Sequence, residues 1–197
     1  MHGLNMIHRD LKPDNIMMGL GDASNIVHLI DFGLTRLVID PKTKVHIPFR
    51  TGKNLIGTCR YVSINAHLGY ELSRRDDLLT LGHVVLNFIK GSLPWANVNV
   101  SKDSARYREL GNKKTEYSGG SLYDGIPPVF KTFMDYCNSL SFEQMPDYPM
   151  LKNLVTTAAQ KAELDIFDDV FDWCPVLTRL RGSSEEPPES KKALDVR

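Results

Sequence analysis

The apolar positions change character along the chain. The first forty residues hold only short apolar runs. The clearest, Ile26 to Ile30, is rich in β-branched residues and stops at Asp31 and Gly33, which predicts a strand leading into a loop. Residues 41–70 contain Pro41, Pro48, Gly52, Gly57 and Gly69 with little periodicity. They predict a long ordered loop, a kind of segment that is usually functional inside a domain. From Arg75 the pattern becomes dense. "DDLLTLGHVVLNFIKG" is apolar nearly all round, from Leu78 and Leu79 to Phe88 and Ile89. Such a helix is expected to be buried on every side, and "SLPW" after Gly91 stops it. Residues 101–117 are charged and helical in propensity. "PPVFKTFMDYCNSL" sets Val129, Phe133, Tyr136, Cys137 and Leu140 on one helical stripe, and "YPMLKNLVTTAAQKA" predicts another amphipathic helix. From Gly182 apolar content almost vanishes, which predicts a disordered polar tail over 182–197.

Composition narrows the class. At 197 residues the chain suits one domain and a tail, and 42% apolar residues supply a sizeable core. Lys plus Arg and Asp plus Glu each number 24, so no global charge draws the chain to nucleic acid or an acidic membrane. No apolar run approaches a bilayer span, and the N-terminus has no signal-peptide pattern. Cys59, Cys137 and Cys174 form neither a CxxC pair nor a disulfide framework. Reduced thiols in the cytoplasm or nucleus are the expectation.

The chemistry is concentrated near the start. "HRDLKPDN" has the form H-R-D-x-x-x-x-N, and "DFG" follows a strand-like run. DFG alone occurs by chance; the ordered set with Lys12, Asn15 and a buried helix is specific to protein phosphorylation. Phosphoryl transfer needs an aligned hydroxyl, neutralised phosphate charge and fixed metal ions. Asp10 can accept or orient the proton of a Ser or Thr hydroxyl. Lys12 lies near the path of the γ-phosphate. Asn15 and Asp31 offer oxygen ligands for Mg²⁺, a hard cation.

The resemblance goes further. "HRDLKPDNIMMGLG", "LIDFGLTR", "HIPFRTGKNLIGTCRYVSINAHLG", "SRRDDLLTLG", "GSLPW", "PDYPML" and "VFDW" together resemble the casein kinase I family of Ser/Thr protein kinases, from Met1 to about Trp173. Ser63-Ile64-Asn65 is the specific mark, standing where most kinases carry A-P-E. The resemblance implies a mainly α (α+β) fold: a kinase-like large lobe over 1–181 with a short β-ribbon at the active site. It implies ATP and Mg²⁺ as cofactors and acidic or already phosphorylated proteins as substrates. Carried over by position, Asp10 is the catalytic base and Lys12 the phosphate-contacting lysine. Asn15 and Asp31 hold Mg²⁺, and Met17 and Ile30 form the floor under the adenine. Asp77 holds the catalytic-loop backbone, and His8 and Phe32 are the lower half of the apolar spine. Arg60 and Arg106 match the family's anion pocket, with a second basic site near Arg9 and Arg36.

Plainer readings stand beside these. Without the resemblance, Arg60 and Arg106 read as surface charges. Asp77, after Arg74 and Arg75, reads as part of a surface salt-bridge cluster, although its place at the mouth of an apolar helix favours a buried cap. His46, His67 and His83 have no ligand spacing, and Cys59 is read as structural. Leu79, Thr80 and the Thr51-Gly52 pair depart from the family's pattern. No G-x-G-x-x-G loop and no V-A-I-K lysine occur among the 197 residues. The expectation is therefore a large lobe without its N-terminal β-rich lobe. At roughly 1.5–3 kcal/mol per charged phosphate contact, such a chain is expected to bind MgATP poorly and phosphorylate little. An exposed apolar face near Met17, Ile30 and Phe32 would then favour self-association or partner binding. The alternatives are a non-catalytic substrate-binding module and an incomplete gene product.

Overall fold

The computed structural model describes residues 1–97, 104–166 and 171; of Asp22 and residues 104–106 it describes the backbone. The tail expected over 182–197, the "VFDW" motif except Phe171, and Cys174 lie outside the described residues.

Among the described residues four short strands form two antiparallel ribbons, where one is expected from the sequence. β1 (Met6–Ile7) pairs with β4 (Arg36–Leu37), with Ile7 opposite Arg36. β2 (Ile16–Met18) pairs with β3 (Val27–Leu29), with Met17 opposite His28. The strand read from Ile26 to Ile30 is thus β3, one residue shorter at each end. All three residues of β3 are exposed, so its β-branched composition reflects pairing and not burial.

The segment from 41 to 63 is loop apart from an isolated bridge between Ile39 and His46. It ends in a one-turn helix, α1 (Ile64–His67), too short to leave a periodic trace. Ser63 caps it, the hydroxyl accepting from the Ala66 N–H at 3.3 Å. The same hydroxyl donates to Asp76 at 2.7 Å, and Asn65 Nδ2 donates to the same carboxylate oxygen at 2.8 Å. The S-I-N triplet therefore fastens the end of the long loop to the next helix.

That helix is α2 (Arg74–Lys90). Asp76 also accepts from the Ser73 N–H at 2.9 Å, closing its first turn. Burial runs from Arg74 to Leu86, but Phe88 and Ile89 are exposed, which corrects the expectation of burial on every side. A helix is buried only where something lies on it. Its first turn carries the loop around His8 and Arg9, and its middle is covered by α4 (Pro128–Ser139). Gly82 permits that contact, since a Cβ there would meet Met134 Sδ at 2.1 Å. Leu79 belongs to this core, and Thr80 turns its hydroxyl back to the Asp76 carbonyl at 2.7 Å. The helix ends at Gly91 with φ 73°.

α3 (Ser104–Ser118) packs on α1, and α5 (Tyr148–Lys161) packs on α4. The main core joins Leu78, Leu86, Trp95, Leu110, Leu122, Cys137 and Leu151. A smaller one of Ile7, Val38, Val62, Ala66 and Leu72 lies beneath the β1–β4 ribbon. At about 1.5–3 kcal/mol per buried side chain, these clusters are the chief favourable term for the fold. The described residues are mainly helical with two small antiparallel ribbons, in agreement with the expected class. Among the described residues no helix is long and apolar enough to cross a membrane.

Candidate active site

Asp10 follows β1 in a loop whose backbone is held from below. Asp77, near the start of α2, accepts the His8 N–H at 2.6 Å and the Arg9 N–H at 2.9 Å, one on each carboxylate oxygen. His2 Nε2 adds a contact at 2.9 Å. Asp77 is buried and not part of a surface ion cluster. His8, fully buried, reaches the Ile30 carbonyl through Nε2 at 3.0 Å and packs on the Phe32 ring, 5.7 Å between centroids. His8 thus joins the loop to the residues around Asp31.

Around Asp10 the polar contacts converge. Thr58 Oγ1 donates to Asp10 Oδ1 at 2.7 Å, and Lys12 Nζ lies 3.1 Å from Oδ2. Asn15 Nδ2 donates to the Asp10 carbonyl at 2.9 Å. Burial pushes the Asp10 carboxyl up, but the Thr58 hydroxyl and Lys12 together outweigh it and hold it below the usual carboxylate range. Lys12 is raised by its bond to Asp10, with Asp14 and Asp31 adding to the field. A carboxylate has about four lone-pair sites, so these two contacts leave Asp10 free to accept a further hydroxyl.

Asp31 sits at the end of β3 in a left-handed conformation, φ 61°. It is exposed, and its Oδ1 accepts the Gly33 N–H at 3.3 Å. Asn15 is buried, and its carbonyl accepts the Ile30 N–H at 3.0 Å, which fixes the two segments side by side. Among the described residues no group of three or more His, Cys, Asp or Glu is placed to hold a metal. Two oxygen donors, one of them exposed, suit Mg²⁺, which keeps several waters and takes its other ligands from phosphates. Met17, 50% exposed, and Ile30, 38% exposed, flank this edge, and Phe32 is 55% exposed.

The basic residues fall into separate places. Arg9 and Arg36 line a cavity of about 230 Å³ together with Lys53 and Glu71. Glu71 is buried and binds Arg36 at 2.6 Å and Lys53 at 3.2 Å. Arg9 donates to the Leu34 carbonyl at 2.6 Å, and burial and the neighbouring Arg36 lower its pKa. Three cations and one carboxylate therefore stand among the described lining residues of this cavity. Arg60 is exposed and lies on the 58–62 turn, outside that cavity. Arg106 is on α3, its side chain outside what is described. Gly57, φ 92°, brings this turn against the Asp10 loop; a Cβ there would stand 2.4 Å from the Arg9 carbonyl oxygen.

Several contributors were not read from the sequence: Thr58, Lys53, Glu71, His2 and Lys114. Each acts on a partner distant in sequence, which local spacing does not name. Lys114 alone left a signal, since it shares a helical stripe with Leu110 and Tyr117. Cys59 is pushed up by burial, as suits a structural thiol.

An acidic loop held by a buried helix, with a lysine, an amide and a second carboxylate at its side, is the equipment of a phosphotransferase. Residues 1–144 match the family model of the protein kinase domain, and the chain belongs to that family. Protein kinases act on protein substrates and generally use ATP and Mg²⁺.

Proposed function

We propose that the chain is the large lobe of a Ser/Thr protein kinase of the casein kinase I type, acting on acidic or already phosphorylated proteins. The observation that carries the reading is Asp10, ionised by its contacts to Thr58 and Lys12 and with lone pairs to spare. In this reading Asp10 accepts a hydrogen bond from a substrate Ser or Thr hydroxyl and draws off its proton. Lys12 sets a positive charge beside the developing phosphate charge. Asn15 and Asp31 turn oxygens to Mg²⁺, and Met17 and Ile30 lie under the adenine. MgATP, when bound, supplies the transferred phosphoryl group. Asp77, His8 and Phe32 keep the loop in place without touching the reactants. Arg60 and Arg106 receive a substrate's acidic or phosphorylated side chain through guanidinium forks.

The casein kinase I assignment is supported by the S-I-N triplet and its two bonds to Asp76. These 197 residues include no Gly-rich phosphate loop, so the chain by itself is proposed to bind MgATP weakly. Thermal shift with MgATP tests this. A shift of a degree or less that disappears in Asp31→Asn agrees with the reading, and robust phosphorylation of an acidic peptide, lost in Asp10→Asn, overturns the weak-activity part. The exposed face of Met17, Ile30 and Phe32 is proposed to favour self-association, read by light scattering. Residence in the cytoplasm or nucleus, with reduced thiols, belongs to the same reading and is tested by tagging the chain.

A second reading, a non-catalytic module for anionic protein partners, is favoured by the cavity that Arg9, Arg36 and Lys53 line, with Glu71 as the one carboxylate among its described lining residues. Phosphopeptide binding without any MgATP response selects it over the first.

A further inference from the structure

The turn that carries Arg60 is held in an uncommon way. Four consecutive backbone carbonyls each accept a hydrogen bond from a buried side chain elsewhere in the chain. Lys114 Nζ donates to the Cys59 carbonyl at 2.8 Å and to the Val62 carbonyl at 2.7 Å. Trp95 Nε1 donates to the Arg60 carbonyl at 2.8 Å. His83 Nδ1 reaches the Tyr61 carbonyl at 2.7 Å, which requires the tautomer with hydrogen on Nδ1. The N–H groups of Tyr61 and Val62 turn back to the Thr58 carbonyl, at 2.9 and 3.1 Å. A loop segment without a strand partner thus has its polar groups matched by side chains.

The three donors form one packed unit. Lys114 is 0% exposed, Trp95 1% and His83 3%. The Lys114 ammonium lies 5.3 Å from the Trp95 ring centroid, and the His83 and Trp95 rings meet edge to face. Among the described residues Lys114 has no carboxylate partner, since its charge is met by carbonyls and a ring face only. A buried cation so arranged is a poor device for stability, and a Met of similar length would fill the same helical stripe without desolvating a charge. What a Met cannot do is hold two carbonyls three residues apart and so close the turn. Within that turn Tyr61 and Val62 are buried while Arg60 stands exposed. Thr58, whose hydroxyl meets Asp10, begins it.

We propose that Lys114, with Trp95 and His83, is a positioning residue for substrate recognition: it locks the 59–62 turn so that Arg60 is presented at a set place relative to Asp10. The proposal rests on the reading of Arg60 as a contact for a substrate's phosphate or acidic group.

The test uses the 197-residue chain. Amide hydrogen exchange at Tyr61 and Val62 is followed against α5, which reports global opening. Binding of a phosphoserine peptide is compared with that of its unphosphorylated twin. Lys114→Met removes two bonds, whereas Trp95→Phe keeps an aromatic ring in the core and removes the bond to the Arg60 carbonyl. Both variants are expected to speed exchange at Tyr61 and Val62 at least about fivefold more than in α5. Both are also expected to reduce the preference for the phosphopeptide by a similar factor. Arg60→Ala is expected to lose that preference with exchange at 61 and 62 unchanged. Exchange that rises no more than in α5 overturns the clamp. Faster local exchange with full phosphopeptide preference overturns the positioning role. An unchanged preference in Arg60→Ala overturns the substrate reading instead, and the exchange result then still decides whether the clamp holds the turn. If Lys114→Met does not fold, Trp95→Phe carries both measurements.

Discussion

The Asp10 loop and the 59–62 turn meet at Thr58, whose hydroxyl donates to Asp10, yet opposite chemistry holds them. The first has its amides gripped by a buried acid, Asp77 accepting from His8 and Arg9. The second has its carbonyls gripped by a buried base, Lys114 donating to Cys59 and Val62. The two grips are not equivalent. An orphaned buried N–H is rare in folded proteins, while a carbonyl with two lone pairs tolerates under-satisfaction better. Losing the acid should therefore damage the whole fold, and losing the base should loosen one turn.

The largest effect that tests this contrast is Asp77→Ala. It leaves the buried His8 N–H and the partly buried Arg9 N–H without acceptors, and unfolding in urea is expected to show a loss of about 3 kcal/mol or an unfolded chain. A loss under about 1 kcal/mol would remove the asymmetry between the two grips.

Next in size, taken over one pH unit, is the pH dependence of Lys114. Burial lowers it from 10.5 to about 7. Between those values the unfolded chain holds the proton and the folded chain has released it, so the folded state gains stability as pH rises through that window. Below the folded value both states carry the proton and the full penalty remains. Measured against Lys114→Met, the wild-type chain is expected to gain at most about 1.4 kcal/mol per pH unit from pH 7 upward. Parallel stability curves for the two would mean that Lys114 stays charged in the fold.

Ser63→Ala comes third. It removes both the cap on α1 and the bond to Asp76, for an expected cost of about 1 kcal/mol. A much larger cost would make the S-I-N fastening a third grip on a par with Asp77. The smallest expected effect belongs to the exposed edge. Phe32→Ser should change stability by less than about 0.5 kcal/mol, while light scattering should report less self-association. If stability instead falls markedly, the ring contact with His8 contributes to holding the Asp10 loop.

Much of this molecule was legible before its structure. The H-R-D-x-x-x-x-N spacing carries Asp10, Lys12 and Asn15 within six residues, so one tight loop must present them together. A run apolar nearly all round marked α2, helical periodicity marked α4 and α5, and the turn residues after β3 marked Asp31. The misreadings share a cause. α2 was expected to be buried throughout because Phe88 and Ile89 are apolar, but composition does not say where covering elements end. A second ribbon was overlooked because β1 and β4 are two residues each and about thirty residues apart. Arg36 reads in the sequence as part of a second basic site with Arg9, and in the fold Glu71 holds it.

Local chemistry, then, was set by order and spacing along the chain: which residues can accept a proton, hold a cation or start a helix. Such properties depend on neighbours within a turn or two. The grips were settled by folding alone. Asp77 meets His8 across 69 positions, Thr58 meets Asp10 across 48, and Lys114 meets Val62 across 52. No periodicity spans such distances. Burial makes these contacts selective, because a charge removed from water must meet the few polar groups that packing leaves within reach.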